Sequence, residues 1–207
     1  MTALEQILEH KVIAILRGCN PANIFDITQA LYDGGIRLLE ITLNSPGALD
    51  AIQQVSEKFG DRLLIGAGTV LAPDEAKAAI TAGARFILSP SLDPEVIRQT
   101  LDLGAVSVPG AFTATEILTA HRHGAHIVKV FPASVGPSYF RDLRGPLPHI
   151  RLMPTGGVNL DNIRDFHKAG AVAFGIGSAL VSSTQSIAPA DLQQLAARAA
   201  GYVAALR

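Results

Sequence analysis

The stretch AITAGARFILSP, residues 79–90, decides how the chain is read. An alanine-rich segment ends at Gly83, and the apolar run Phe86-Ile87-Leu88 follows and stops at Ser89-Pro90. Glycine closing a helical pattern reads as the residue that turns left-handed after the last turn. A short apolar run bounded by turn residues reads as a buried strand. Together they make one helix-to-strand joint.

The joint recurs. ALYDGG (30–35), TLDLGA (100–105), AHRHGA (120–125) and FHKAGA (166–171) each close a helix-like segment just ahead of an apolar run. The runs are KVIAIL (11–16), RLLEITL (37–43), RLLIGAG (62–68), RFILSP (85–90), AVSVPG (105–110), HIVKVFP (126–132), IRLMPTGG (150–157) and AVAFGIGS (171–178), which makes eight candidate strands. Strands separated by helical crossovers imply a parallel sheet. Eight such units in 207 residues predict an α/β fold of the closed (β/α)8 TIM-barrel type, since an open doubly wound sheet usually has fewer strands. Residues 1–207 are expected to form one domain with a helix at each terminus. The last segment, PADLQQLAARAAGYVAALR (189–207), places Leu192, Leu195, Ala199, Val203 and Leu206 on one helical face and is expected to close the outer ring.

Composition agrees with this layering. The chain is 48% hydrophobic but only 5% aromatic and has no Trp, so its core must be built from small and aliphatic side chains. Net charge is −1 with no basic block, which gives no support for nucleic-acid binding and leaves room for a small anionic ligand. The opening MTALEQILEHKVIAILRG (1–18) is interrupted by Glu, His, Lys and Arg, so neither a signal peptide nor a membrane span is expected. A single cysteine, Cys19, excludes an internal disulfide framework and fits a reducing cytoplasm.

In an α/β barrel the loops after the strands form the active-site face, so the position of a charge within its run sorts the candidates. Arg17, Glu40 and Lys129 fall late in their runs, whereas Arg37, Arg85, His126 and Arg151 begin theirs and belong to the opposite face. Alternation groups Ile127, Lys129 and Phe131 on one side of a strand, and Leu38, Glu40 and Thr42 on one side of another. If those sides face inward, an amine and a carboxylate meet inside the mouth. The plain structural alternative is a buried ion pair between them. Convergence with Arg17 and the strand-end hydroxyls of Thr69 and Thr155 favours a site. An amine near neutrality serves chiefly as a nucleophile toward carbonyls, through an imine that acts as an electron sink. An unperturbed lysine is only about 0.1% neutral near pH 7.4, and bringing its pKa to about 7–8 takes about 4 kcal/mol. Burial among Val128, Val130 and Phe131 works in that direction, and an ionised Glu40 in contact would oppose it.

PTGGV (154–158) and GIGSAL (175–180) follow the seventh and eighth runs, where such barrels often bind phosphate through backbone N–H groups. Gly156, Gly157, Gly177 and Ser178 are therefore candidate phosphate ligands, against the simpler reading of tight turns. IGAGTV (65–70) also contains GxG but lacks the full dinucleotide fingerprint, so no such cofactor is expected. His121, His123 and His126 suggest a metal, yet the first two stand about 200° apart on a helix and the group precedes a strand, so no metal site is expected. Cys19 has no neighbouring base and reads as a small loop residue.

In order along the chain, VIAILRG, LLEITLNSP, IGAGTV, FILSP, VPG, VKVFPA, PTGGV and GIGSALV resemble the 2-keto-3-deoxy-6-phosphogluconate (KDPG) aldolases, with the related phosphogalactonate and 4-hydroxy-2-oxoglutarate (KHG) aldolases. The resemblance implies a class I aldolase, a homotrimer of (β/α)8 barrels without a metal or other cofactor. It places the Schiff-base lysine on Lys129 and the general acid/base on Glu40. It puts substrate contacts on Thr69, Pro90, Phe131 and Thr155, and phosphate contacts on Gly156, Gly157 and Ser178. Some members carry an arginine four residues after the glutamate, where this chain has Asn44. Others carry LRG after the first strand, as here, which assigns the substrate carboxylate to Arg17. The implied reaction cleaves a phosphorylated 2-keto acid to pyruvate and glyceraldehyde 3-phosphate. A phosphosugar epimerase or isomerase on a similar barrel, and a non-catalytic phosphosugar-binding protein, are the alternatives.

Overall fold

A computed structural model describes all 207 residues and alternates strands with helices from end to end. The chain opens with α1 (Ala3–His10) and β1 (Val12–Leu16), then runs through α2 (Ile24–Asp33), β2 (Leu38–Thr42), α3 (Ala48–Phe59), β3 (Leu64–Gly68) and α4 (Pro73–Thr81). It continues as β4 (Phe86–Leu88), α5 (Pro94–Asp102), β5 (Val106–Val108), β6 (Gly110–Ala111), α6 (Ala114–Arg122), β7 (Val128–Val130) and α7 (Pro137–Arg144). β8 (Leu152–Pro154), α8 (Ile163–Lys168), β9 (Phe174–Ile176) and α9 (Pro189–Ala204) complete it. No helix is long and apolar enough to cross a membrane.

Local chemistry sets the boundaries. Thr2 with Glu5 and Thr113 with Glu116 form capping boxes that satisfy the first amides of α1 and α6. Proline stands in the first turn of α4, α5, α7 and α9, where its missing N–H costs nothing. Gly83, read from the sequence as the end of a helix, has φ of 112° after α4. The N–H of the following Ala84 donates to the Ala79 carbonyl at 3.0 Å, which closes the turn that launches β4.

All strand pairings are parallel, in a six-stranded sheet of order β5-β4-β3-β2-β1-β9 and a three-stranded sheet of order β6-β7-β8. The parallel α/β architecture was expected. The single ladder of eight strands needs correction at residues 105–110, because Pro109 divides the fifth run. Proline has no N–H to give to a ladder. β5 therefore pairs with β4, β6 pairs with β7, and the Pro109 carbonyl accepts the Lys129 N–H at 2.9 Å. At the other junction, Val172 N–H donates to the Leu152 carbonyl at 3.0 Å, and Thr155 makes an isolated parallel bridge to Gly175.

Alternation along each strand separates two cores. Val12, Ala14 and Leu16 of β1 join a large cluster of 51 buried residues that includes the inward faces of α2 to α9. Ile13 joins a smaller cluster with Leu38, Leu64, Phe86, Val106, Ile127 and Met153, closed by Ile7 from α1. This inner layer lies below Glu40 and Lys129 on the same strand faces. It is tightly filled because glycine faces the bulky members: a Cβ on Gly66 would fall within the Phe86 ring, and one on Gly68 would overlap the Glu40 carboxylate.

Gly66→Ala is therefore expected to lower the denaturant midpoint by overpacking worth about 1–3 kcal/mol, with the m-value unchanged. Phe86→Leu in the same chain should recover part of that loss. Independent, additive effects of the two substitutions would contradict the packing described here.

Candidate active site

β2 and β7 bring Glu40 and Lys129 into one interior, although the two strands belong to different sheets. Glu40 is fully buried and Lys129 is 3% exposed. Neither forms a hydrogen bond with the other, and no ion pair joins them within 4.0 Å. Both carboxylate oxygens of Glu40 are buried without a partner. The salt-locked alternative is thereby ruled out in this geometry, and the two groups influence each other through space. Burial pushes the Lys129 ammonium below the usual lysine range, the negative charge of Glu40 pulls it back up, and Arg17 adds to the lowering. Burial likewise raises the Glu40 carboxyl, opposed by the positive charges of Lys129 and Arg17. Each is driven toward its neutral form.

Phe131, two residues beyond Lys129 on the same strand side, places its ring centroid 5.1 Å from the amine. A cavity of about 430 Å³ opens beside this ring. Its lining brings together Arg17, Phe131, Thr155, Gly156, Gly157, Gly177 and Ser178, all singled out from the sequence. Thr155 is 5% exposed, and its hydroxyl has no partner. Arg17 is held in position by the loop around it: Gly18 N–H donates to Ser45 Oγ at 2.8 Å, and Ser45 lies 2.9 Å from the Thr42 hydroxyl.

The glycine loops have a feature that their composition only hinted at. The N–H groups of Gly156, Gly157, Val158, Gly177, Ser178 and Ala179 have no acceptor within the protein, and all six residues line the cavity. Gly156 and Gly157 adopt φ of 80° and 84°, which only glycine takes readily. Consecutive free amides of this kind form a concave anion cradle.

Thr69 and Pro90 stand at the ends of β3 and β4, and they, like the buried Glu40 and Lys129, are not part of the cavity lining. Thr69 has φ of 58°, a strained value for a β-branched residue. Ile15, Asn159 and Ser183 line the cavity without having been picked out. Ile15 could have been found by alternation from Arg17. Ser183 reaches the cavity only because the chain after β9 folds back against Gly18. His126 sits at the opposite end of β7, where its Nδ1 accepts the Ser107 N–H at 3.1 Å. Cys19 is buried in the large core, and burial raises its thiol above the usual range. A larger groove of about 900 Å³ between α3 and α4, lined by Asp50, Glu57, Asp74 and Lys77, contains none of the site residues.

This arrangement supplies an amine biased toward neutrality, a carboxyl able to exchange a proton, a guanidinium at the mouth and an anion cradle across the cavity. The profile of the family described as KDPG and KHG aldolase matches residues 4–197. The 2-dehydro-3-deoxy-6-phosphogalactonate aldolase of Escherichia coli (strain K12) is 38% identical over 198 residues, covering 95% of this chain and 94% of its own. A 2-dehydro-3-deoxy-phosphogluconate aldolase of Pseudomonas aeruginosa is 41% identical over 160 residues, covering 76% and 72%. The solved KDPG aldolase of Legionella pneumophila, with pyruvate captured as a covalent carbinolamine intermediate, superposes with a TM-score of 0.85 at 26% identity over 96% of this chain and 97% of its own. A solved structure described as native KDPGal gives a TM-score of 0.87 at 37% identity over 94% and 93%. By its sequence profile and by relatives of this identity and coverage, the chain belongs to the KDPG and KHG aldolase family of carbon–carbon lyases.

Proposed function

We propose that the chain is a class I aldolase that cleaves 2-keto-3-deoxy-6-phosphogluconate, or its galactonate epimer, to pyruvate and glyceraldehyde 3-phosphate. The observation that carries this reading is the Lys129 amine, buried and free of any ion pair, with the unpartnered Glu40 carboxylate in the same interior. In the reaction, Lys129 Nζ attacks the C2 ketone, and loss of water from the carbinolamine gives an iminium. Glu40, acting through a water, takes the C4 hydroxyl proton. The C3–C4 bond breaks, its electron pair moves into the iminium to form an enamine, and the aldehyde departs. Protonation at C3 and hydrolysis of the imine release pyruvate and restore the amine.

The remaining assignments follow the same orientation. Arg17 holds the substrate carboxylate by paired hydrogen bonds, and the amides of Gly156, Gly157, Gly177 and Ser178 take the phosphate. Thr155 and Phe131 wall the carbon chain between them, with Thr69 and Pro90 at the rim. We further read the two sheets as one closed (β/α)8 barrel domain over residues 1–207. The Pro109–Lys129 hydrogen bond and the Thr155–Gly175 bridge, which join the sheet edges, support this. A cytoplasmic homotrimer completes the reading. It is supported by the family resemblance and by exposed Leu71, Phe112 and Val135 near the strand-end loops.

Borohydride with pyruvate is expected to leave a stable adduct on Lys129, detected by peptide mass. Lys129→Ala should lose both the adduct and more than about a thousandfold of the cleavage rate. An epimerase using the same pair without an imine would give no adduct, and normal cleavage by Lys129→Ala would end the mechanism. Cleavage should also survive treatment with a chelator, because the iminium is the electron sink.

The pH dependence of trapping tests the electrostatics. The acid limb reports protonation of the amine. Glu40→Gln removes the anion that favours the ammonium, so the limb should move to lower pH. Arg17→Met removes a cation that disfavours the ammonium, so the limb should move to higher pH. Shifts of the opposite sign in both variants would refute the assignment of these neighbours.

A further inference from the structure

The C-terminal helix reaches the back of the anion cradle. Arg198, Gly201 and Tyr202 are spaced i, i+3 and i+4 and share one face of α9. Arg198 Nε donates to the Leu180 carbonyl at 2.9 Å, and its Nη2 lies 3.5 Å from Gln185 Oε1. The Tyr202 phenol, on a residue 1% exposed, donates to the Ala179 carbonyl at 3.5 Å. Gly201 faces Leu160: a Cβ there would stand 3.6 Å from Leu160 Cδ1, in ordinary contact. Leu160 lies three residues past Gly157, at the start of the turn that leads into α8, and Ala179 and Leu180 end the turn after Gly177-Ser178. One helix face therefore holds the second glycine turn and lies beside the segment that follows the first.

The effect on the second turn is directional. Leu180 and Val181 donate their amides back to the Gly177 carbonyl at 2.8 and 2.9 Å, so the turn is internally closed. The carbonyls of Ala179 and Leu180 are engaged by α9, while the amides of Gly177, Ser178 and Ala179 stay free on the cavity side. The peptide groups held at these two oxygens carry the N–H groups of Leu180 and Val181, which both donate to the Gly177 carbonyl, and that carbonyl shares its peptide group with the free Ser178 N–H on the cavity side. A hydrogen bond accepted at a carbonyl polarises the peptide group and strengthens its N–H as a donor, so the two contacts with α9 are relayed through the Gly177 carbonyl to the Ser178 amide. A cradle fixed before the anion arrives loses less conformational freedom on binding.

We propose that Arg198 and Tyr202 are positioning residues for the anion cradle, and that they set the preference for phosphorylated over unphosphorylated keto acids without touching the substrate. The choice of substrates rests on the aldolase reading above; the cradle itself can be tested without turnover. A purely structural helix-docking role would lower stability and damage all substrates alike.

The full-length Arg198→Met and Tyr202→Phe variants separate these roles, the second being isosteric and expected to fold. Binding of inorganic phosphate, measured by calorimetry, should weaken about tenfold in Arg198→Met, as for loss of one hydrogen-bonded support from a charged donor, and by a smaller factor in Tyr202→Phe, whose contact is longer. KM for the phosphorylated substrate should rise by a similar factor. Both kcat for unphosphorylated 4-hydroxy-2-oxoglutarate and the rate of pyruvate trapping should stay within about twofold of the parent value. Arg198→Lys, which retains a charged donor, should recover part of the phosphate affinity. Unchanged phosphate binding, or equal losses on both substrates, would overturn the proposal. If the parent chain binds phosphate but traps no pyruvate, the aldolase reading fails, and the calorimetric comparison still decides the role of α9.

Discussion

A carboxylate and an amine are buried in one interior with no bond between them, and the rest of the molecule is arranged around that constraint. Removing either ion from water costs several kcal/mol, and a direct salt bridge would return much of it. Here the return is forgone. The groups sit on strands of different sheets, apolar residues fill the layer below them, and Gly68 leaves the space that the Glu40 side chain occupies. What results is a pair whose protonation is set by environment, as acid–base chemistry near neutrality requires.

That arrangement has a thermodynamic sign. Lys129 has a folded-state pKa below its unfolded value, so the unfolded chain binds more protons between the two, and stability rises with pH across that interval. Glu40 has a raised folded-state pKa, so stability falls as pH climbs from about 4.3 toward that raised value. The site works against the fold, which the two hydrophobic clusters must offset.

Much of the fold could be read from the chain because its signals are local. Each β run fell on an observed strand, and Gly83, Gly104, Gly124 and Gly170 all take positive φ after helices. The shared interior of Lys129 and Glu40 is legible from alternation combined with position in the run, since both depend on strand geometry alone. What was missed depends on contacts between distant segments. The split at Pro109 looks in the sequence like the end of a run, because one strand giving its two halves to different neighbours leaves no periodic trace. Ser183 and Asn159 reach the cavity through loop folding. The helical stripe expected to be buried in the last segment lacks Tyr202, yet Tyr202 is almost fully enclosed and Leu192 and Val203 are only partly so.

The break at Pro109 has a mechanical consequence. Lys129 rides on the three-stranded sheet and Glu40 on the six-stranded one, so the gap between amine and carboxylate is spanned by inter-sheet seams, with no continuous ladder across it. One seam is the Pro109 carbonyl bound to the Lys129 amide, and the other is the Thr155–Gly175 bridge beside the cavity. Small shear at these two joints would alter the separation of amine and carboxylate while leaving every strand intact. The spacing of the two groups is thus fixed at two joints and by no ladder that runs from one strand to the other.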